Sequence, residues 1–143
     1  MTRTQKYKDT NTFHYYNANP KNRITGDCLI RALSVGMGKP YNEVVMELAK
    51  LQCETGYDSY QLIDRYLKAN GWEKQHQPRK WDDTKYTASE FCEEIVQKDD
   101  FKKRFQHIIA NVGSHHIVAI VKGKVWDIWN STGERVGNYW TKI

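Results

Sequence analysis

The chain changes its hydrophobic rhythm about three quarters of the way along. Apolar positions in the first part recur every three or four residues, the spacing of one helix face. The run after Gly26-Asp27 predicts a helix from Cys28 to Val35 that stops at Gly36-Met37-Gly38. Lys39-Pro40 opens a second, with Tyr41, Val44, Val45, Leu48 and Leu51 on one side. A third runs from about Asp58 to Asn70-Gly71 and turns Leu62, Ile63, Tyr66 and Leu67 inward. From Phe105 onward the period shortens to that of strands, at 105–112, 116–121, 125–129 and 136–140. Helices first and an antiparallel β-meander second indicate an α+β fold.

The stretches between are less regular. Residues 1–11 read as a flexible tail, 12–16 as a short aromatic strand, and 17–22 as a turn. Trp72 to Lys85 shows no period and reads as a surface loop. Thr87-Ala88-Ser89-Glu90 is a capping box, and Phe91, Glu94, Ile95 and Lys98 extend it as a short helix. A length of 143 residues suits a single domain spanning 1–143. The 3 cysteines, Cys28, Cys53 and Cys92, are too few and too scattered for a disulfide frame or a thiolate zinc site, so no metal is expected. No apolar run reaches the length of a membrane span, and Met1 to Asp9 lacks a secretory pattern, so a cytoplasmic protein with no membrane partner is expected. The net charge of +5 is spread out, with Lys102-Lys103-Arg104 the densest cluster. Nucleic acid is therefore a weak second choice of partner.

Chemistry concentrates at Thr25-Gly26-Asp27-Cys28. A cysteine in the first turn of a helix meets unpaired N–H groups and the positive end of the helix dipole, which favour the thiolate. The charge of Asp27 opposes this unless its carboxylate is turned into the helix cap. A base is available at His115-His116, which opens the apolar strand Ile117 to Val121. Both faces of that strand are apolar, so alternation does not choose between the two histidines. If Lys122-Gly123-Lys124 forms a three-residue turn, Val121 pairs with Val125 and His116 faces Asn130. A two-residue turn moves the partner of His116 to Trp129 or Ser131. In the three-residue register Asp127 faces Ala119, on the other side of the strand. Asn130 is thus the preferred orienter of the imidazole and Asp127 the second choice.

Cys28, His116 and Asn130 in that order, with the cysteine opening a helix, resemble the papain-like cysteine peptidases. Gly26-Asp27-Cys28-Leu29-Ile30-Arg31-Ala32, His116-Ile117-Val118-Ala119 and Asp127-Ile128-Trp129-Asn130-Ser131 look like small papain-fold proteins of phages and their bacterial hosts. The resemblance implies N-terminal helices packed on a β-meander and a cofactor-free hydrolase that acts on a protein or peptide through an acyl-thioester. Papain-like enzymes carry a glutamine six residues before the nucleophile as oxyanion donor, and that position here is Asn22. The Cys-Gly-Ser-Cys-Trp signature of papain itself is absent. Two other classes remain: a non-catalytic phage-type protein that binds a host protein, and a basic nucleic-acid-associated protein.

Overall fold

Both faces of the central strands are apolar, so the sheet they form has to be covered on both sides. The computed structural model describes residues 7–98 and 105–143. The basic cluster 102–104 and the start of the expected tail, 1–6, lie outside the described residues. Among those described there are four α-helices and six strands. The helices are α1 (Cys28–Met37), α2 (Tyr41–Thr55), α3 (Ser59–Ala69) and α4 (Ala88–Phe91), the last running on into a π-helical turn at Cys92–Val96. The strands are β1 (Phe13–Tyr15), β2 (Trp72–Gln75), β3 (His107–Val112), β4 (His116–Val121), β5 (Lys124–Asp127) and β6 (Val136–Lys142).

The fold is mixed α+β. The described strands form one sheet in the order β1-β5-β4-β3-β6-β2, antiparallel throughout except for β1 beside β5. The expected simple meander is corrected here, because β6 crosses to pair with β3 instead of following β5. Ile109, Ile117, Ala119 and Val121 pack with Leu33, Val44, Leu48 and Leu67 of α1 to α3. Ile108, Ala110, Val118 and Ile120 pack with Phe91, Cys92 and Val96 on the opposite side. This explains why alternation could not identify a solvent face on β4.

Three further expectations need amendment. Helix α1 continues through Gly36 and ends at Gly38, whose φ of 67° makes the left-handed C-cap. Gly36 is not a stop: a Cβ there would lie 2.2 Å from Ile109 Cδ1, so its missing side chain lets the helix sit close on the sheet. Trp72–Gln75 is an edge strand paired with β6, and only Trp72 is buried, too short a pattern to read as alternation. Residues 7–11 are held and do not hang free, with the Tyr7 ring 6.5 Å from Phe13 and the Asp9 carboxylate accepting from the Tyr15 N–H at 2.8 Å. The expected capping box is present between Thr87 and Glu90, with Glu90 held down to about 2 chiefly by its hydrogen bond from Lys80.

The β4–β5 hairpin closes with two residues. Lys122 (φ 50°) and Gly123 (φ 77°) are both left-handed, the signature of a type I′ turn, and Val121 pairs with Lys124. Gln97 lies over this turn and donates to the Gly123 carbonyl at 2.9 Å. Replacing Gly123 with Ala puts a Cβ at a left-handed position and 2.4 Å from Gln97 Cγ. Urea unfolding is expected to show a loss of about 1–2 kcal/mol for Gly123→Ala. Gly133→Ala, where a Cβ meets nothing within 4 Å, is expected to change stability by less than about 0.5 kcal/mol.

Candidate active site

The one-residue change in the turn decides which acid meets the histidine. With Val121 opposite Lys124, Ala119 pairs with Trp126, and the next step places Asp127 beside Val118. Asp127 then has the parity of His116, two residues away. His116 opens β4 and Asp127 closes β5, so both lie at the same end of the sheet, where α1 begins. Their side chains meet at 2.6 Å, His116 Nε2 to Asp127 Oδ2. The other ring nitrogen, Nδ1, remains for the thiol of Cys28, whose ionised form His116 and the Ile117 backbone both favour. Trp129 covers the imidazole at a ring separation of 4.9 Å.

Asn130 is corrected as the orienter. Its Oδ1 accepts from the Thr132 N–H at 3.0 Å and from Thr132 Oγ1 at 2.5 Å, an Asx turn that starts the 130–134 loop. Asn22 is exposed in the turn before α1, with a left-handed φ of 53°, and its Oδ1 accepts from Asn17 Nδ2 at 3.5 Å. Of the sequence candidates, the structure brings together Cys28, His116 and Asp127. It engages Asn130 and Asn22 in turns.

Arg31 is the residue that sequence reasoning passed over. Its guanidinium is 7% exposed, and its Nε donates to Asp27 Oδ1 at 2.8 Å. Its Nη1 donates to Asp127 Oδ1, whose carboxylate is 2% exposed. The same Asp127 oxygen accepts the Ile128 N–H at 2.7 Å. The available signal was the i, i+4 spacing of Asp27 and Arg31 on a helix, which usually marks a surface pair. Asp27 occupies the N-cap position of α1 without capping it through its side chain. Instead its carboxylate accepts from Arg31, from Tyr41 Oη at 2.6 Å and from Asn19 Nδ2 at 3.0 Å.

These contacts set the protonation states. Burial pushes the Asp27 carboxyl up, but the hydrogen bonds from Tyr41, Arg31 and Asn19 outweigh it and hold it below its ordinary value. Burial and the Asp27 carboxylate push the Tyr41 hydroxyl up to about 12. The hydrogen bond to His116 lowers the Cys28 thiol, against an opposing burial effect. Burial works against the His116 imidazolium, yet Asp127 and Cys28 together push it up to about 9. Both shifts favour a thiolate beside an imidazolium. Cys92 shows the contrast: burial in the second core pushes its thiol up to about 12.

Beside the sulfur lies a cleft of about 440 Å³. Leu29, Ile30, Leu48, Ile63 and Ile117 form its apolar walls. Tyr60 and His115 form a polar rim, joined by a 2.7 Å hydrogen bond from Tyr60 Oη to His115 Nδ1. His115 therefore belongs to the cleft and His116 to the sulfur. The Trp72–Lys85 segment takes no part in lining it. No helix among the described residues is long and apolar enough to cross a membrane. Comparison with protein-family models, with curated proteins and with solved structures finds no match.

At pH 7, iodoacetamide is expected to modify Cys28 at least about tenfold faster than exposed Cys53, with buried Cys92 slowest. Because the Cys28 thiol is lowered, its reactivity is expected to persist below the ordinary thiol range as pH falls. Peptide mapping by mass spectrometry reads all three rates at once.

Proposed function

We propose that the protein is a cysteine-dependent amide hydrolase of papain-like architecture, a peptidase or isopeptidase, in which Cys28, His116 and Asp127 form the catalytic triad. The observation that carries this reading is the His116 imidazole held at 2.6 Å by a buried carboxylate and acting on a sulfur that stands at a helix N-terminus. A core cysteine needs none of these partners. A protein that only binds through this surface has no use for an imidazole oriented by an acid.

In this mechanism the Cys28 thiolate attacks the substrate carbonyl carbon, and the C=O electron pair moves onto oxygen. The Cys28 N–H, in the first turn of α1 where backbone donors are unpaired, faces the developing oxyanion. Collapse of the tetrahedral intermediate re-forms C=O and breaks the C–N bond, and the imidazolium of His116 gives its proton to the departing amine. Neutral His116 then takes a proton from water, whose oxygen attacks the thioester. The second tetrahedral intermediate collapses with cleavage of the C–S bond, the electron pair returns to sulfur, and the acid product leaves the thiolate–imidazolium pair restored. Asp127 keeps the ring oriented and favours its charged form. The apolar cleft beside Cys28 receives the substrate chain, and neither a metal nor a cofactor enters these steps.

Hydrolysis of fluorogenic peptide and isopeptide substrates tests the assignment. Cys28→Ala is expected to abolish turnover, and Asp127→Asn to lower it roughly 10²–10⁴-fold. Asn130→Ala and Asn22→Ala are expected to retain most of it. A loss of about 10²–10³-fold in Asn22→Ala would instead assign that amide to the oxyanion. The rate should rise with pH as the lowered thiol ionises and fall as His116 loses its proton near pH 9. A Cys28→Ala protein with undiminished hydrolysis would end the proposal.

A further inference from the structure

We infer that Arg31 is a positioning residue for this site: its guanidinium clamps the carboxylate that orients His116 and cancels the charge of Asp27 beside the sulfur. The inference rests on the thiol-hydrolase reading above. It begins from a conflict written into the chain. Asp27 immediately precedes Cys28, and an unpaired carboxylate there would oppose the thiolate. Helix capping does not absorb that charge, since the Asp27 side chain makes no cap bond. Arg31, one turn further along α1, absorbs it at 2.8 Å.

The other arm of the same guanidinium reaches across to β5. Asp127 has two oxygens to place: Oδ1 takes Arg31 Nη1 and the Ile128 N–H, which leaves Oδ2 aimed at His116. Without Arg31 only the Ile128 N–H and His116 itself remain to hold the carboxylate, and one of its two buried oxygens loses a charged donor. The contacts close into a ring that runs from Cys28 to His116, Asp127, Arg31 and Asp27 and back to Cys28 through the peptide bond. One cation thereby serves the orienter and the neighbour of the nucleophile together.

The surroundings leave this task to Arg31. Cys28 and its partners are faced by His116 from β4, Asp127 from β5 and Asp27 from the start of α1. Tyr41 from α2 meets Asp27, while Tyr60 of α3 and His115 line the cleft. Among these described residues Arg31 is the one cation whose charge does not titrate in the working range. Its field also favours the ionised thiol.

The test is a charge-balance cycle in the full chain, read by the pH dependence of Cys28 alkylation with iodoacetamide. Arg31→Gln is expected to raise the alkylation midpoint by about one pH unit, a tenfold loss of thiolate below it. Asp27→Asn, which leaves Arg31 on Asp127, is expected to move the midpoint down. The Asp27→Asn/Arg31→Gln double variant should return it close to wild type. The clamp is read separately: in that double variant kcat should stay about 10²-fold below wild type with KM little changed, because Asp127 is no longer held. A folded Arg31→Gln protein with the wild-type midpoint overturns the inference. If Arg31→Gln does not fold, a double variant with wild-type kcat overturns it instead. Wild-type Cys28 reacting no faster than Cys53 would remove the hydrolase reading itself, whereas a fast Cys28 indifferent to Arg31 removes only the inference.

Discussion

Two carboxylates share one guanidinium out of water at the start of α1, and that sharing constrains much of the surrounding structure. Ions this deeply buried are tolerated only when paired and fully hydrogen-bonded, and stranding one by removing its partner typically costs about 3–5 kcal/mol. Asp27, Arg31 and Asp127 meet the condition by drawing on four parts of the chain. Arg31 comes from α1, Asp127 from the end of β5, Tyr41 from α2 and Asn19 from the entry loop. Each element is held at a definite distance from the others because none can withdraw without leaving a charge unmet. The sulfur and the imidazole sit on the rim of this arrangement and inherit its rigidity.

The sheet supplies the other half of the positioning. Its central strands β3 and β4 are covered on both faces, so their ends, not their flanks, are where polar side chains can stand. His116 begins β4 and Asp127 finishes β5 at the same end. Helix α1 lies close enough to place its first residue there because Gly36 carries no side chain against Ile109. A packing choice near one end of the helix thus bears on the chemistry at the other.

The three cysteines show how far environment separates residues of one type. Cys28 has the His116 imidazole acting on it and is lowered. Cys92 has only the hydrophobic second core and is pushed up to about 12. Cys53 lies on the exposed side of α2. Composition counts them alike, and only their surroundings tell them apart.

Much of this was legible along the chain. The periodicity of Leu62, Ile63, Tyr66 and Leu67, the capping box at Thr87 and the apolar strand after His116 each carry a local signal, because backbone geometry repeats over a few residues. The placement of Cys28 at a helix start is local for the same reason. The crossing of β6 to β3, the edge strand at Trp72 and the choice of Asp127 over Asn130 are not local. That choice turned on one residue of hairpin register, set by Lys122 adopting a left-handed conformation that lysine seldom takes. Arg31 escaped notice because an i, i+4 pair on paper is the same whether water or protein surrounds it. The order of residues determined which side chains were available and on which elements. Only the tertiary structure decided which of them met, since burial and strand pairing depend on segments about a hundred residues apart.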